Sequence, residues 1–377
     1  MTVNQIATIL NTINSEVAQG AALVNEDLSN IVDVGTTVFD ANWKDNYVKS
    51  MIDQIGKMVF VDRQYAGYAP SILRSDWEYG SILAKSRTKD FEAKENPSWK
   101  LTAGTTVNQF EYNPPTVKQT FFNKKEAWQI DCSFAEIQVR EAFTSPSQLN
   151  GFFAMIETTI ENSKNAKMDA LVMRAINNFV AEKIHGTNGV INVLTAYNNA
   201  YGTSLTAAAA PYNKDFLRFL AFTILDLKDR LKVRSEVYNM GGVGYPTATP
   251  DSYLHVVLNS LFGRAMDVFL QSDTFHNSMT EIGSYESVPF WQGSGASYSA
   301  TDRTSIDVKI ASDNTVTVQQ ANIIGVMFDE DAIALNNHNM RVTSAYNANG
   351  EYYNNFYKVD SSYLNDTAEN GIVLLLA

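Results

Sequence analysis

Residues 145–186 read SPSQLNGFFAMIETTIENSKNAKMDALVMRAINNFVAEKIHG, and both ends of one long helix are written into them. Ser145 stands at the N-cap, Pro146 at the first helical position and Gln148 at the third, while Lys183, His185 and Gly186 make a basic, glycine-closed end. Between these ends Leu149, Phe152, Phe153, Ile156, Ile160, Leu171, Ala175, Ile176, Phe179 and Val180 recur at three- and four-residue steps, interrupted by Ser163, Lys164 and Lys167. The spacing predicts a helix over Pro146–Ile184, about 57 Å long at about 1.5 Å per residue, where ordinary helices run about 11–12 residues. Such a helix spans a molecule rather than filling one layer of a core.

Downstream, Asn213 is placed to cap a second amphipathic helix that ends near Val233, with Phe216, Leu217, Leu220, Ile224, Leu227 and Leu231 on its apolar face. Residues 236–325 alternate short strands, such as Leu254–Leu258 and Asp307–Ile310, with glycine and proline turns, as expected of a mixed second domain. Ala321–Phe328 reads as a buried strand, Asp329-Glu330-Asp331 as a solvated helix start, and Gly371–Ala377 as a closing strand that returns to the first domain's sheet.

Upstream, Ile82 to Trp128 favours strands: Phe110–Tyr112 and Val117–Phe121 flank Asn113-Pro114-Pro115, which predicts a long hairpin with a loose tip. Lys85, Arg87, Lys89, Lys94, Lys100, Lys118, Lys124 and Lys125 against Asp90, Glu92, Glu95, Glu111 and Glu126 make it +3 on a chain whose net charge is -12. A basic projection on an acidic protein is suited to docking on an acidic neighbour of its own kind, with Lys94, Trp99, Lys100, Lys124 and Lys125 as contact candidates. In residues 1–50 six acids outnumber Lys44 and Lys49, and Ile6, Ile9, Leu10, Ile13 and Val17 fall at near-helical spacing. With few large apolar clusters, this region is expected to be an extended arm that packs on something else. Ile52 to Tyr68 then opens a packed domain.

The 377 residues suffice for two or three domains at about 150 residues each. The acid surplus argues against a protein whose affinity comes from neutralising phosphates. The single cysteine, Cys132, excludes an internal disulfide framework and any multi-thiolate metal site, and reads as a small buried hydrophobe. No stretch has the length of a membrane span, and Met1 to Gly20 lacks the basic and apolar regions of a signal peptide. His185, His255, His276 and His338 are scattered, and Gly241-Gly242-Val243-Gly244 lacks the Walker lysine. The basic run Lys228, Arg230, Lys232 and Arg234 alternates with acids as a solvated helix face does, and the aromatic run from Tyr346 to Tyr357 reads as packing. No catalytic set and no cofactor is expected.

In order, an acidic arm, a hairpin containing Glu92-Ala93-Lys94-Glu95-Asn96-Pro97-Ser98-Trp99, a capped spine helix, a mixed domain containing Val288-Pro289-Phe290-Trp291-Gln292-Gly293, and a closing Tyr346–Gly371 segment resemble the tailed-phage major capsid proteins of the Hong Kong 97-like fold. The resemblance implies an α+β chain divided into an N-terminal arm (1–50), a peripheral domain (51–81 and 129–212, with a return at 329–377), an extended loop (82–128) and an axial domain (213–328). It implies a coat subunit of the virion, not an enzyme, that assembles in the host cytoplasm with copies of itself as pentamers and hexamers. Packaged double-stranded DNA without sequence-specific contacts, a separate scaffold protein with no processed N-terminal scaffolding domain, and a portal are the implied partners. An encapsulin-like cellular compartment, which resembles the same fold, is the alternative. Some members join a hairpin lysine to an asparagine of a neighbour; Lys94 and Lys100 with Asn347, Asn354 and Asn355 supply the residue types, but noncovalent docking is the expectation here.

Overall fold

Three helices occupy the N-terminal region of the computed structural model, which describes residues 2–17, 23–59, 65–74, 82–271, 284–293, 300–310 and 312–377. Helix α1 (Val3–Glu16) opens with a capping box between Thr2 and Gln5. Helices α2 (Ile31–Phe39) and α3 (Lys44–Lys57) follow. Ile6, Leu10 and Ile13 of α1 and Tyr47, Val48, Met51, Ile52 and Ile55 of α3 are buried in one core cluster with the long helix. The region is therefore not the extended arm expected for residues 1–50. Its apolar residues are few, but they fall on single stripes that meet each other, and Asn11 ties the returning chain by a pair of bonds to the backbone of Val24 (2.7 and 2.8 Å).

Strands β1 (Leu83–Thr88) and β2 (Val117–Phe122) pair antiparallel from Leu83↔Phe122 to Thr88↔Val117. The hairpin exists, but Phe110–Tyr112 is not one of its limbs: the whole span 89–116 forms its tip. Strand β3 (Lys125–Ala135) and the short helix α4 (Glu136–Ala142) lead to α5 (Pro146–His185), the 40-residue spine. Ser145 accepts a bond from the Gln148 amide at its start, as its sequence requires. The first half of α5 buries a stripe; from Met168 onward most of its circumference is buried. Lys164 and Lys167, which interrupt the apolar stripe in sequence, are buried too, Lys164 donating to the Val59 carbonyl (3.2 Å) and Lys167 lying 3.6 Å from Glu126.

The chain continues through β4 (Val190–Asn192), α6 (Val193–Tyr201), α7 (Lys214–Lys232), β5 (Leu254–Asn259), α8 (Ser260–Gln271), β6 (Glu286–Val288), β7 (Gln292–Gly293), β8 (Ala300–Asp302), β9 (Ile306–Lys309), β10 (Thr317–Gln320), β11 (Ile323–Asp329), β12 (Ile333–Asn347), β13 (Tyr352–Asn365) and β14 (Gly371–Leu375). Helix α7 is capped by Asn213 and buries the six predicted apolar residues. Two sheets matter most. In the first, β12, β13 and β3 run antiparallel. In the second, the order is β4-β14-β11-β5-β6, antiparallel inside and parallel at both outer pairs.

Alternation along the second sheet divides the molecule into layers. Val257, Val326, Phe328, Val373 and Leu375 belong to the cluster built on α5, whereas Val256, Leu258, Met327, Ile372 and Leu374 belong to the cluster of α6, α7 and α8. A strand buried on both faces is apolar throughout, which is why β14 shows no polar alternation. It joins this sheet rather than the β3 sheet, to which only β12 and β13 return. Because Val193, Leu194 and Tyr197 pack with α7, the second unit begins just after α5 rather than at residue 213. Asp329 to Asp331 is a tight turn between β11 and β12, not a helix start; the Asp329 carboxylate accepts the Asp331 amide (2.8 Å) and the Thr249 hydroxyl (2.6 Å).

Candidate inter-subunit surface

Every residue from Thr88 to Phe121 is exposed. Asn96 caps a short 3-10 turn, Pro97–Lys100, by accepting the Ser98 amide (2.9 Å), and Thr102 and Thr105 close a second turn in which Gly104 takes φ +91°. These local bonds give the tip a shape without a core. Yet the tip is rich in large apolar groups: Trp99 is 96% exposed, Phe110 and Tyr112 84% each, and Phe91, Leu101 and Val107 stand out beside them. Large apolar side chains exposed to this degree on one loop are unusual on a subunit surface.

The charges are arranged otherwise than the +3 total implies. Lys85 lies 3.4 Å from Asp366 and 3.5 Å from Glu369, and Arg87 is 2.7 and 2.6 Å from the same two carboxylates. Lys118 donates to the Gly241 carbonyl (3.0 Å), and Arg234 reaches back to Asp90 (2.6 Å). The cations of the hairpin's root are thus directed onto this chain's own surface. At the tip, Lys94 pairs with Glu111 (3.7 Å) and Lys100 with Glu95 (2.7 Å), all four side chains well exposed. Residues 89–116 carry three lysines against four carboxylates, so no positive surplus is left there.

Of the five contact candidates, Lys94, Trp99 and Lys100 sit together at the tip. Lys124 and Lys125 are exposed but lie at the root, where the Lys124 carbonyl accepts the Tyr363 amide (3.1 Å) and Lys125 stands opposite Ser362. Phe91, Leu101, Val107, Phe110 and Tyr112 join them. Their signal in sequence was apolar residues set among Pro, Asn, Gly and Thr with neither a period of 2 nor of 3.6. Asn354 accepts the Ser133 hydroxyl (2.6 Å) and Asn347 closes the turn to Gly350, whereas Asn355 is 1% exposed and neither of its amide atoms has a hydrogen-bond partner.

Lys232 pairs with Asp229 and Asp251, and Arg230 with Asp226, on a solvated face of α7. Tyr353 and Tyr357 are buried in the main core. Burial pushes the half-buried Cys132 thiol above its ordinary value, away from the reactive thiolate. Among the described residues there is no group of three or more His, Cys, Asp or Glu placed to hold a metal, and no helix is long and apolar enough to cross a membrane.

Residues 6–375 match the family model described as Phi29-like phage major capsid protein. No curated relative matches the sequence. Among solved structures, a chain of the Staphylococcus phage Andhra capsid is 11% identical over 84% of this chain and 86% of that one, with a TM-score of 0.51. A chain in the structure of the head fiber and inner core protein gp22 of native bacteriophage P68 is 10% identical over 84% of this chain and 87% of that one, with a TM-score of 0.56. The shared property is the mixed helix and sheet fold.

Proposed function

Since the chain belongs to the Phi29-like phage major capsid protein family, and so is a structural subunit that builds the virion shell from copies of itself, we propose that the hairpin tip is its principal noncovalent contact with the next copy. The observation that carries this reading is that Trp99, Phe110 and Tyr112, all on residues 89–116, are the three most exposed large apolar side chains among the described residues. Trp99 is the anchor, Phe91, Phe110 and Tyr112 of the same loop add apolar surface, and the Lys94–Glu111 and Lys100–Glu95 pairs tie the loop that presents them. Lys124 and Lys125 flank the contact from the root.

One tip given and one received per subunit makes a heterologous contact, which closes into rings such as pentamers and hexamers when the rotation permits. Many modest contacts then sum to a stable shell while misplaced subunits dissociate. The net charge of -12 suits a wall that encloses double-stranded DNA without gripping its phosphates. A separate scaffold protein, a portal and assembly in the host cytoplasm complete the reading. The family match favours the phage shell over an encapsulin-like compartment.

Sedimentation and negative-stain microscopy of the purified chain, alone and with its virion proteins, test it. Closed particles of uniform size are expected. A chain that stays monomeric at every concentration and with every virion protein would overturn the reading.

A further inference from the structure

The turn at residues 366–370 is gripped from two sides. From within, Lys183 near the end of α5, wholly buried, donates to the Tyr238 carbonyl at 2.8 Å and lies 3.5 Å from the carbonyls of Thr367 and Glu369. From without, Lys85 and Arg87 of β1 hold the carboxylates of Asp366 and Glu369. The turn itself is rigid. Asp366 caps it by accepting the Ala368 amide (3.1 Å), Asn370 is tied to Thr247 and Thr249 (2.8 and 3.1 Å), and the Met240 amide donates to the Thr367 carbonyl (2.9 Å). Gly371 is pressed so closely on the spine that a Cβ there would lie 2.4 Å from the Phe179 ring.

We propose that this turn is a two-sided clasp through which the stance of the hairpin and the end of the spine helix are mechanically coupled, so that moving either one loosens the other. The alternatives for such a link are poor. Between Thr88 and Phe121 the hairpin has no core of its own; besides these ion pairs its root meets the body through the Lys85 bond to the Asp331 carbonyl (2.5 Å), the Lys118 bond to Gly241 and its place over the Tyr245 ring, the Asp90 amide bond to Gly244 (3.0 Å) and the Arg234–Asp90 pair (2.6 Å). Arg87 Nη1 is buried without an acceptor, so its guanidinium is held through Nη2 by the two carboxylates. On the inner side the Lys183 amine is enclosed, its charge disfavoured by burial and supported by Asp366, while Glu182 is turned away to Ser312 (2.7 Å). The two lysines and the arginine therefore converge on one short turn from opposite faces. A load on the hairpin tip reaches the spine without requiring the sheet to deform. The inference concerns the single chain and does not depend on what the tip touches.

Amide hydrogen exchange on the full-length chain tests it. Lys85→Gln with Arg87→Gln removes the outer grip without altering the turn or the spine. Exchange is expected to rise about tenfold at residues 84–88 and 117–121, and also at 183–188 and 367–371, which the substitutions do not touch. Lys183→Met should produce the reciprocal rise at 84–88. Glu369→Gln, which leaves Asp366 to cap the turn and face Lys183, repeats the outer test from the turn's side if Lys183→Met does not fold. Faster exchange confined to the hairpin in both outer variants, with residues 183–188 at wild-type rates, would show two independent attachments and overturn the proposal.

Discussion

Replacing Trp99 by alanine separates aromatic docking from charge docking. Trp99 is 96% exposed, so its removal leaves the subunit's own packing intact and should change free-chain stability by no more than about 0.5 kcal/mol. Burying an indole removes about 150–250 Å² from water, which at about 25 cal/mol/Å² is about 4–6 kcal/mol. Ordering the tip side chains returns about 0.5–1.5 kcal/mol each, leaving a contact of about 2–4 kcal/mol per subunit. With one such contact per subunit, the threshold concentration for assembly should rise at least about thirtyfold. Lys94→Glu with Lys100→Glu breaks two exposed pairs worth about 0–1 kcal/mol each, so it should shift the threshold by no more than about thirtyfold, the floor for Trp99→Ala, and less at high salt than at low salt. Light scattering across a dilution series reads both. A Trp99→Ala chain that assembles at the wild-type threshold while the double lysine variant fails would refute aromatic docking and restore the charge account.

Three further outcomes follow from the fold. Leu10, fully buried between α1, α3 and α5, should cost about 2–5 kcal/mol of free-chain stability on Leu10→Ala in urea denaturation, and removal of residues 1–50 should abolish the soluble fold; a stable, folded truncated chain would return this region to the status of an arm. Burial pulls Lys183 from the usual lysine value of 10.5 down to about 7, and only Asp366 opposes it. Between those pH values the unfolded chain holds a proton that the folded chain has released, so the lysine's contribution is full at high pH and is lost as pH falls toward 7, with a limiting slope of about 1.4 kcal/mol per pH unit. The difference in stability between wild type and Lys183→Met, followed from pH 7 to pH 10, should change along that slope; a constant difference would mean that the folded lysine keeps its proton.

The spine helix and α7 were legible because their caps and stripes are local: Ser145 and Asn213 each need only the next three residues to act. Helix α1 was half legible. Ile6, Leu10 and Ile13 carry its period, but nothing local shows that the stripe closes on α3 and α5, so scarce apolar content read as an arm. The place of β14 was hidden for the opposite reason, since a run apolar on both faces fits the middle of either sheet. At the candidate surface the exposure of Trp99 on the hairpin tip was legible. The uses of Lys85 and Arg87 were not, because Asp366 and Glu369 lie some 280 residues away and only the fold brings them together.

A density map of the assembled shell tests the central claim most directly, because it shows what residues 89–116 touch. The account predicts Trp99 buried against the surface of a neighbouring copy, with Phe91, Phe110 and Tyr112 around it and Lys94 and Lys100 still paired within their own tip. Trp99 left in solvent in the finished shell, or folded onto its own chain, would contradict it.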